Sequence, residues 1–61
     1  MKKERYEIIA ECGKSKMQAM RKLEELVNFY LNCGYEVIGG ANLFEDENGV
    51  PYAYQTLIKL E

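Results

Sequence analysis

One helical segment, bounded by Ser15 before it and Gly34 after it, divides the chain into strand-like sequence on either side. Gln18 follows Ser15 by three residues, which is the spacing of a capping box and predicts a helix that begins at Lys16. Gly34 stands where a left-handed residue commonly ends a helix. We therefore predict a helix over residues 16–33, and the remaining segments have to form a sheet beside it.

The segments on both sides of this helix have the pattern of β-strands. Residues 5–12 alternate imperfectly between two faces, and residues 35–44 and 52–60 predict two further strands. Turn residues at 46–49 join the last two strands as a hairpin. The expected fold class is α+β: a single β-α-β-β domain over residues 1–61, with one helix packed on one face of a three-stranded sheet.

The order of the strands is less constrained by the sequence. We favour the third strand in the centre, antiparallel to both others, because it is the most uniformly apolar and the first strand carries charges at its start. The alternative places the second strand centrally, parallel to the first through a right-handed crossover.

A chain of 61 residues is short for an independent domain. Such a domain buries only about 60% of the surface of its unfolded chain, so disulfides, a metal or self-association commonly add stability. Cys12 and Cys33 flank the predicted helix and lie roughly 25 Å apart at about 1.5 Å per residue, too far for a disulfide. With no histidine, we expect no metal and no cofactor. The two thiols are typical of a reducing compartment and predict a cytoplasmic protein.

Apolar side chains occupy more surface than one helix and one sheet can bury. Those of the helix span an arc of roughly 160°, wider than the stripe of about 100° that covers a sheet. Both faces of the hairpin also carry apolar residues, and one helix covers one face only. We therefore predict a homodimer or a higher even oligomer in which the other sheet face is an interface. The candidate interface residues are Leu26, Phe29, Tyr30, Ile38 and Phe44.

Charge and hydropathy exclude two classes of partner. A formal net charge of −2 is unsuited to broad nucleic-acid binding, which needs a basic excess on one face. No apolar segment follows the charged N-terminal residues, so we expect neither a signal peptide nor a membrane helix.

The residue types of an enzyme active site are scarce in this chain. There is no histidine to activate Cys12 as a nucleophile, so a non-catalytic protein is the expectation. Gly13-Lys14-Ser15 is like the end of a phosphate-binding loop, but Ile8 stands where that motif needs its first glycine. A helix start flanked by Lys14 and Lys16 could bind a phosphate. Its other interpretation, which we favour, is an ordinary capped and solvated helix start.

The remaining candidate ligand residues lie in the strands. Gly39-Gly40 indicates either the close approach of a ligand or another backbone, or a bulge, and packing is the favoured interpretation. Tyr35 and Tyr54 could stack on a base or ring, although tyrosine is also simply a good strand former. The candidate ligand-binding set is Lys14, Ser15, Lys16, Tyr35, Gly39, Gly40 and Tyr54.

Several of these residues also carry a family resemblance. The segments Val27-Asn28, Gly34-Tyr35, Gly39-Gly40 and Tyr54-Gln55-Thr56-Leu57-Ile58-Lys59 resemble the domain-of-unknown-function 1737 family of short bacterial and phage proteins. Tyr35 stands where that family often has tryptophan, and Thr56 where alanine is usual. The resemblance covers nearly the whole chain and implies the same fold and a phage or bacterial setting, but no catalytic residues.

The expected function is that of a small non-catalytic, homo-oligomeric binding protein. In view of the resemblance, one version is a phage-type sponge that sequesters a nucleotide-like signal with Lys14, Lys16 and strand tyrosines. The alternative is a protein-interaction module that inhibits or scaffolds a larger protein through Phe29 or the acidic hairpin tip at residues 45–47. An enzyme ranks below both.

Overall fold

A computed structural model describes residues 4–60 of the chain. It confirms the α+β fold class, with a three-stranded antiparallel sheet and one helix packed on one of its faces. Each element boundary lies within one residue of its predicted position. The elements are β1 (Glu4–Cys12), α1 (Lys16–Asn32), β2 (Glu36–Glu45) and β3 (Pro51–Leu60).

The sheet has the strand order β1-β3-β2, and β3 pairs antiparallel with both neighbours. The predicted central position of the third strand is confirmed, and the alternative with a central second strand is wrong. Thr56 of β3 lies opposite Ile8 of β1 on one side and opposite Ile38 of β2 on the other. Because directly paired residues share a face, this register fixes which side chains point away from the helix.

The caps of α1 are those that the sequence predicts, with one difference in detail. The Ser15 hydroxyl accepts a hydrogen bond from the backbone N–H of Gln18 at 3.1 Å, and α1 begins at Lys16. The Gln18 side chain accepts from the backbone N–H of Lys14 at 2.6 Å, one residue before the usual capping-box donor. This reciprocal pair satisfies donors that would otherwise be left free at the helix start.

The other end of α1 closes in a Schellman motif. Gly34 is left-handed with φ of 91°, and the backbone N–H of Tyr35 donates to the Tyr30 carbonyl at 3.1 Å. The Tyr30 and Tyr35 rings meet edge to face, with centroids 5.1 Å apart, which is the apolar contact that commonly accompanies this motif. The helix itself ends at Asn32, and Cys33 is its C-cap.

The core is small and lies between α1 and the sheet. Ala19 and Leu23 of α1 are buried against β1 and β3, and three further apolar side chains of the helix pack at the margin. Met20 and Leu31, which belong to the predicted apolar arc, are 48% and 43% exposed. The contact between α1 and the sheet therefore buries only part of the predicted apolar arc. The buried apolar residues are Ile9, Ala19, Leu23, Tyr35, Ala53 and Leu57.

Two loops have geometries that depend on specific residues. In the hairpin turn, the Asp46 carboxylate accepts from the backbone N–H groups of Asn48 and Val50, both at 2.9 Å, and Gly49 is left-handed with φ of 78°. Between β1 and α1, a side chain at Gly13 would approach the backbone nitrogen of Ala19 to 2.7 Å. Gly13 is thus explained by close packing of the strand end on the helix.

A bulge interrupts β2. Ile38 pairs with Thr56 and Asn42 pairs with Tyr54, so three residues of β2 lie opposite Gln55 alone. Gly39 is left-handed there with φ of 71°, whereas a side chain at Gly40 would meet no atom within 4 Å. The bulge, one of the interpretations of Gly39-Gly40, is the one that the register bears out.

Candidate functional site

The face of the sheet opposite α1, which we call the open face, is predominantly apolar and has no covering element among residues 4–60. Tyr6 and Ile8 of β1 are 63% and 62% exposed, and Ile38 and Phe44 of β2 are 43% and 47% exposed. The half-buried side chains of β3 fill the space between them. The open face consists of Tyr6, Ile8, Ala10, Cys12, Ile38, Asn42, Phe44, Tyr52, Tyr54, Thr56, Ile58 and Leu60, with Glu4 and Glu36 at one end.

One end of the open face carries an aromatic cluster, formed by Phe44, Tyr52 and Tyr54. The Phe44 and Tyr52 rings are stacked, with centroids 5.0 Å apart and an angle of 9° between their planes. Tyr54 meets Phe44 edge-on, with centroids 5.7 Å apart. Because the rings support one another, this end of the face is preorganised to pack against a flat apolar surface.

A second exposed surface lies on the helix side of the sheet, between α1 and β2. Here β2 is poorly covered, and Val37 and Leu43 are 46% and 43% exposed although they point toward the helix layer. A groove of about 260 Å³ separates the two elements. It is lined by Met20, Leu23, Glu24, Val27, Ala41 and Gln55, and we call it the α1–β2 groove.

The predicted ligand-binding residues do not converge on one site in a single chain. Lys14, Ser15 and Lys16 lie at the start of α1, where Ser15 is engaged as the N-cap and Lys16 is 3.5 Å from the Glu45 carboxylate. Tyr35 lies beyond the other end of the helix, is 8% exposed, and contacts Tyr30 and the Lys59 ammonium. Gly39 and Gly40 form the bulge in β2, and Tyr54 belongs to the aromatic cluster on the open face.

The predicted interface residues divide between two surfaces. Ile38 and Phe44 lie on the open face. Leu26 and Tyr30 pack against the core from α1, and Phe29 is 62% exposed with its ring edge-on to Tyr30. One flat contact therefore cannot include all five residues.

A polar pair joins α1 to β1 on the helix side. The negative charge of Glu7 raises the pKa of Tyr30 above its ordinary value of 10.0, and burial and a hydrogen bond from the tyrosine hydroxyl to Glu7 act in the same direction. The other oxygen of this carboxylate, Oε2, is buried without a hydrogen-bond partner. Tyr30 therefore stays protonated at neutral pH and can act as the donor of this pair.

Other features constrain the chemistry of the described residues. Cys12 and Cys33 are both free and exposed. Within residues 4–60, no three residues of the metal-ligating types come together as a metal site would require. In the same range, α1 is too short and too polar to span a bilayer.

The candidate residues predicted from the sequence omit several contributors to these surfaces. Tyr6, Ile8 and Leu60 belong to the open face, and only the alternation of β1 and β3, combined with the strand register, could have identified them. The role of Gln55 was also missed, since nothing local to it in the sequence marks the bulge that it contacts.

The chain matches no protein-family model, no curated protein and no solved structure. The resemblance to the domain-of-unknown-function 1737 family therefore stays a prediction.

Proposed function

We propose that the protein is a non-catalytic binding domain that works as a homo-oligomer, with two copies packed open face to open face. The single observation that carries the proposal is the open face itself, on which large apolar side chains are 43% to 63% exposed across all three strands. Contiguous apolar surface of this kind is typical of interaction sites. Packing two such sheets gives a sandwich with a helix on each outer side.

The size of the face fits this arrangement. Three strands spaced by about 4.8 Å and about 32 Å long give roughly 450 Å² of flat area per copy, or about 900 Å² for the pair. Because side chains project from the sheet, the accessible surface of each face is larger than its flat area. The contact thereby reaches the roughly 1,000 Å² that a specific interface needs.

The free edge of β2 is a poorer interface than the open face. Its bulge at Gly39 interrupts the regular hydrogen-bonding edge that a second strand would need. Antiparallel pairing of two β2 edges about their centre would also place Glu36 of one copy opposite Glu45 of the other. Like charges directly opposite each other destabilise a sheet, which favours packing by faces over pairing by edges.

Light scattering on the full chain, with two lysine variants, tests the proposal. The wild-type protein should have at least twice the chain mass of 7.1 kDa. Ile8→Lys should lower that mass, whereas Met17→Lys on the helix should not, although the two native side chains are 62% and 65% exposed. A wild-type protein that stays at 7.1 kDa at high concentration would contradict the proposal.

A nucleotide-like ligand is a second candidate, favoured by one observation. The ion pair between Lys16 and Glu45 places the start of α1 at the same end of the molecule as the aromatic cluster. Lysine side chains and stacked rings at a common end could take a phosphate and a base, respectively. In this version the aromatic cluster contacts the ligand instead of a second copy, and the protein sequesters the ligand, as the sponge hypothesis expects.

Thermal-shift measurements against cyclic dinucleotides and ADP-ribose isomers test this candidate. A ligand should raise the melting temperature of the wild type and of the control Lys22→Glu, which makes the same charge change in the middle of α1. Lys14→Glu should abolish the shift. If no compound of the panel raises the melting temperature of the wild type, the nucleotide-like ligand is wrong.

A further inference from the structure

The α1–β2 groove lies on the helix side of the sheet, so packing of the open face leaves it accessible. Its walls are apolar and come from Met20, Leu23, Val27 and Ala41. Its volume of about 260 Å³ is below the roughly 300–1,000 Å³ of pockets that hold drug-sized ligands. A groove of this size suits a single side chain of a partner.

Gln55 contributes a buried polar group to the groove. The residue is 5% exposed, and its amide nitrogen donates to the carbonyls of Ile38, Gly39 and Thr56 at 3.0 to 3.2 Å. These three carbonyl oxygens fix the orientation of the amide. If the amide oxygen stood where the amide nitrogen is, the carbonyl oxygens would repel it. The oxygen Oε1 therefore points away from these carbonyls.

The charge of the lining residues indicates what the groove can accept. Glu24 supplies a carboxylate, Gln55 supplies an amide oxygen, and no lysine or arginine is among the lining residues. A carboxylate can only accept hydrogen bonds, and the amide nitrogen of Gln55 is already engaged by three carbonyls, so both side chains offer acceptors. A complementary side chain has an apolar stem and a positively charged end group with several hydrogen-bond donors. The net charge of −2 also favours a basic partner.

We propose that the α1–β2 groove binds an arginine side chain of a basic protein partner. The methylene stem packs against Met20 and Val27, and the guanidinium donates to Gln55 Oε1 and to the Glu24 carboxylate. Arginine fits better than lysine because its planar head carries five donors and is more weakly hydrated. The proposal does not depend on self-association, since the groove and the open face lie on opposite sides of the sheet.

An NMR titration of the full chain with short blocked peptides tests this proposal. The probe is Gly-Arg-Gly, and the controls replace arginine by lysine or by citrulline, which keeps the shape but removes the charge. We expect saturable shifts confined to the groove, including the side-chain amide of Gln55, with the arginine peptide. Glu24→Gln should weaken that binding by about twofold to fivefold, the range for a solvent-exposed ion pair.

Glu25→Gln is the matched control, because it removes the same charge from the next residue of α1, which does not line the groove. It should leave the affinity unchanged. Shifts spread over the surface, equal binding of the lysine or citrulline peptide, or equal loss in Glu24→Gln and Glu25→Gln would each overturn the proposal. Gln55 itself is not substituted, since its amide nitrogen also holds the bulge.

Discussion

The two strands of the hairpin have the same length but different environments. Buried positions recur at every second residue over most of β3, whereas all ten residues of β2 are exposed. Both strands carry large apolar side chains on both faces. Apolar side chains on both faces therefore do not by themselves explain why one strand is buried and the other is not.

Position in the sheet explains the difference. β3 has a paired strand on each side and lies beneath α1, while β2 has one neighbour and a bulge that interrupts its pairing. The helix packs mainly over β1 and β3, which leaves the helix-facing side chains of β2 half covered. An apolar strand that residues 4–60 leave uncovered is typical of a surface that binds another molecule, which is why both proposed binding surfaces include β2.

The largest effect that this comparison predicts concerns two leucines. Leu57 of β3 is 0% exposed and Leu43 of β2 is 43% exposed, and both point toward the helix layer. Leu57→Ala should lower the free energy of unfolding by about 2–5 kcal/mol, and Leu43→Ala by less than about 1 kcal/mol. Urea denaturation of the two variants measures these free energies. Equal losses would contradict the difference in burial between β3 and β2.

An intermediate effect concerns the contact between the two strands at the bulge. Gln55→Ala removes the donor to the Ile38 and Gly39 carbonyls and should lower the free energy of unfolding by about 1–3 kcal/mol. Asn42→Ala is the control, because its amide donates to the Gly40 carbonyl at an exposed position and should cost little. If urea denaturation shows the same cost for both, Gln55 does not hold the bulge.

The smallest effect concerns the two glycines of the bulge. Gly39→Ala places a residue with a side chain in a left-handed backbone conformation with φ of 71°. It should lower the free energy of unfolding by about 1–2 kcal/mol. Gly40→Ala should be near neutral, because the new methyl group meets no atom within 4 Å. Melting temperatures of the two variants separate these outcomes, and a larger loss at Gly40 would show that another molecule approaches it closely.

Much of the fold could be predicted because its signals are local. Ser15 with Gln18 and Gly34 mark the ends of α1 by backbone chemistry that depends on a few neighbouring residues. The central place of β3 followed from its apolar composition, since a central strand loses more contact with water than an edge strand.

The candidate surfaces were less predictable because they depend on residues distant in the sequence. The register of Ile38 against Thr56 determines which side chains of β2 lie on the open face. The bulge then shifts this register for the rest of the strand. The wide apolar arc predicts that the sheet leaves part of the helix uncovered, but only the packing of α1 over β1 and β3 shows that Met20 and Leu31 lie in that part. No sequence pattern indicates the angle at which a helix crosses a sheet.

The most direct test of packing through the open face compares two neighbouring residues of β2. Ile38 and Val37 are 43% and 46% exposed and point to opposite faces of the same strand. In light scattering at matched concentrations, Ile38→Lys should shift the protein toward the 7.1 kDa monomer, and Val37→Lys should keep the wild-type mass. An unchanged mass for Ile38→Lys, or dissociation by Val37→Lys alone, would contradict an interface on the open face.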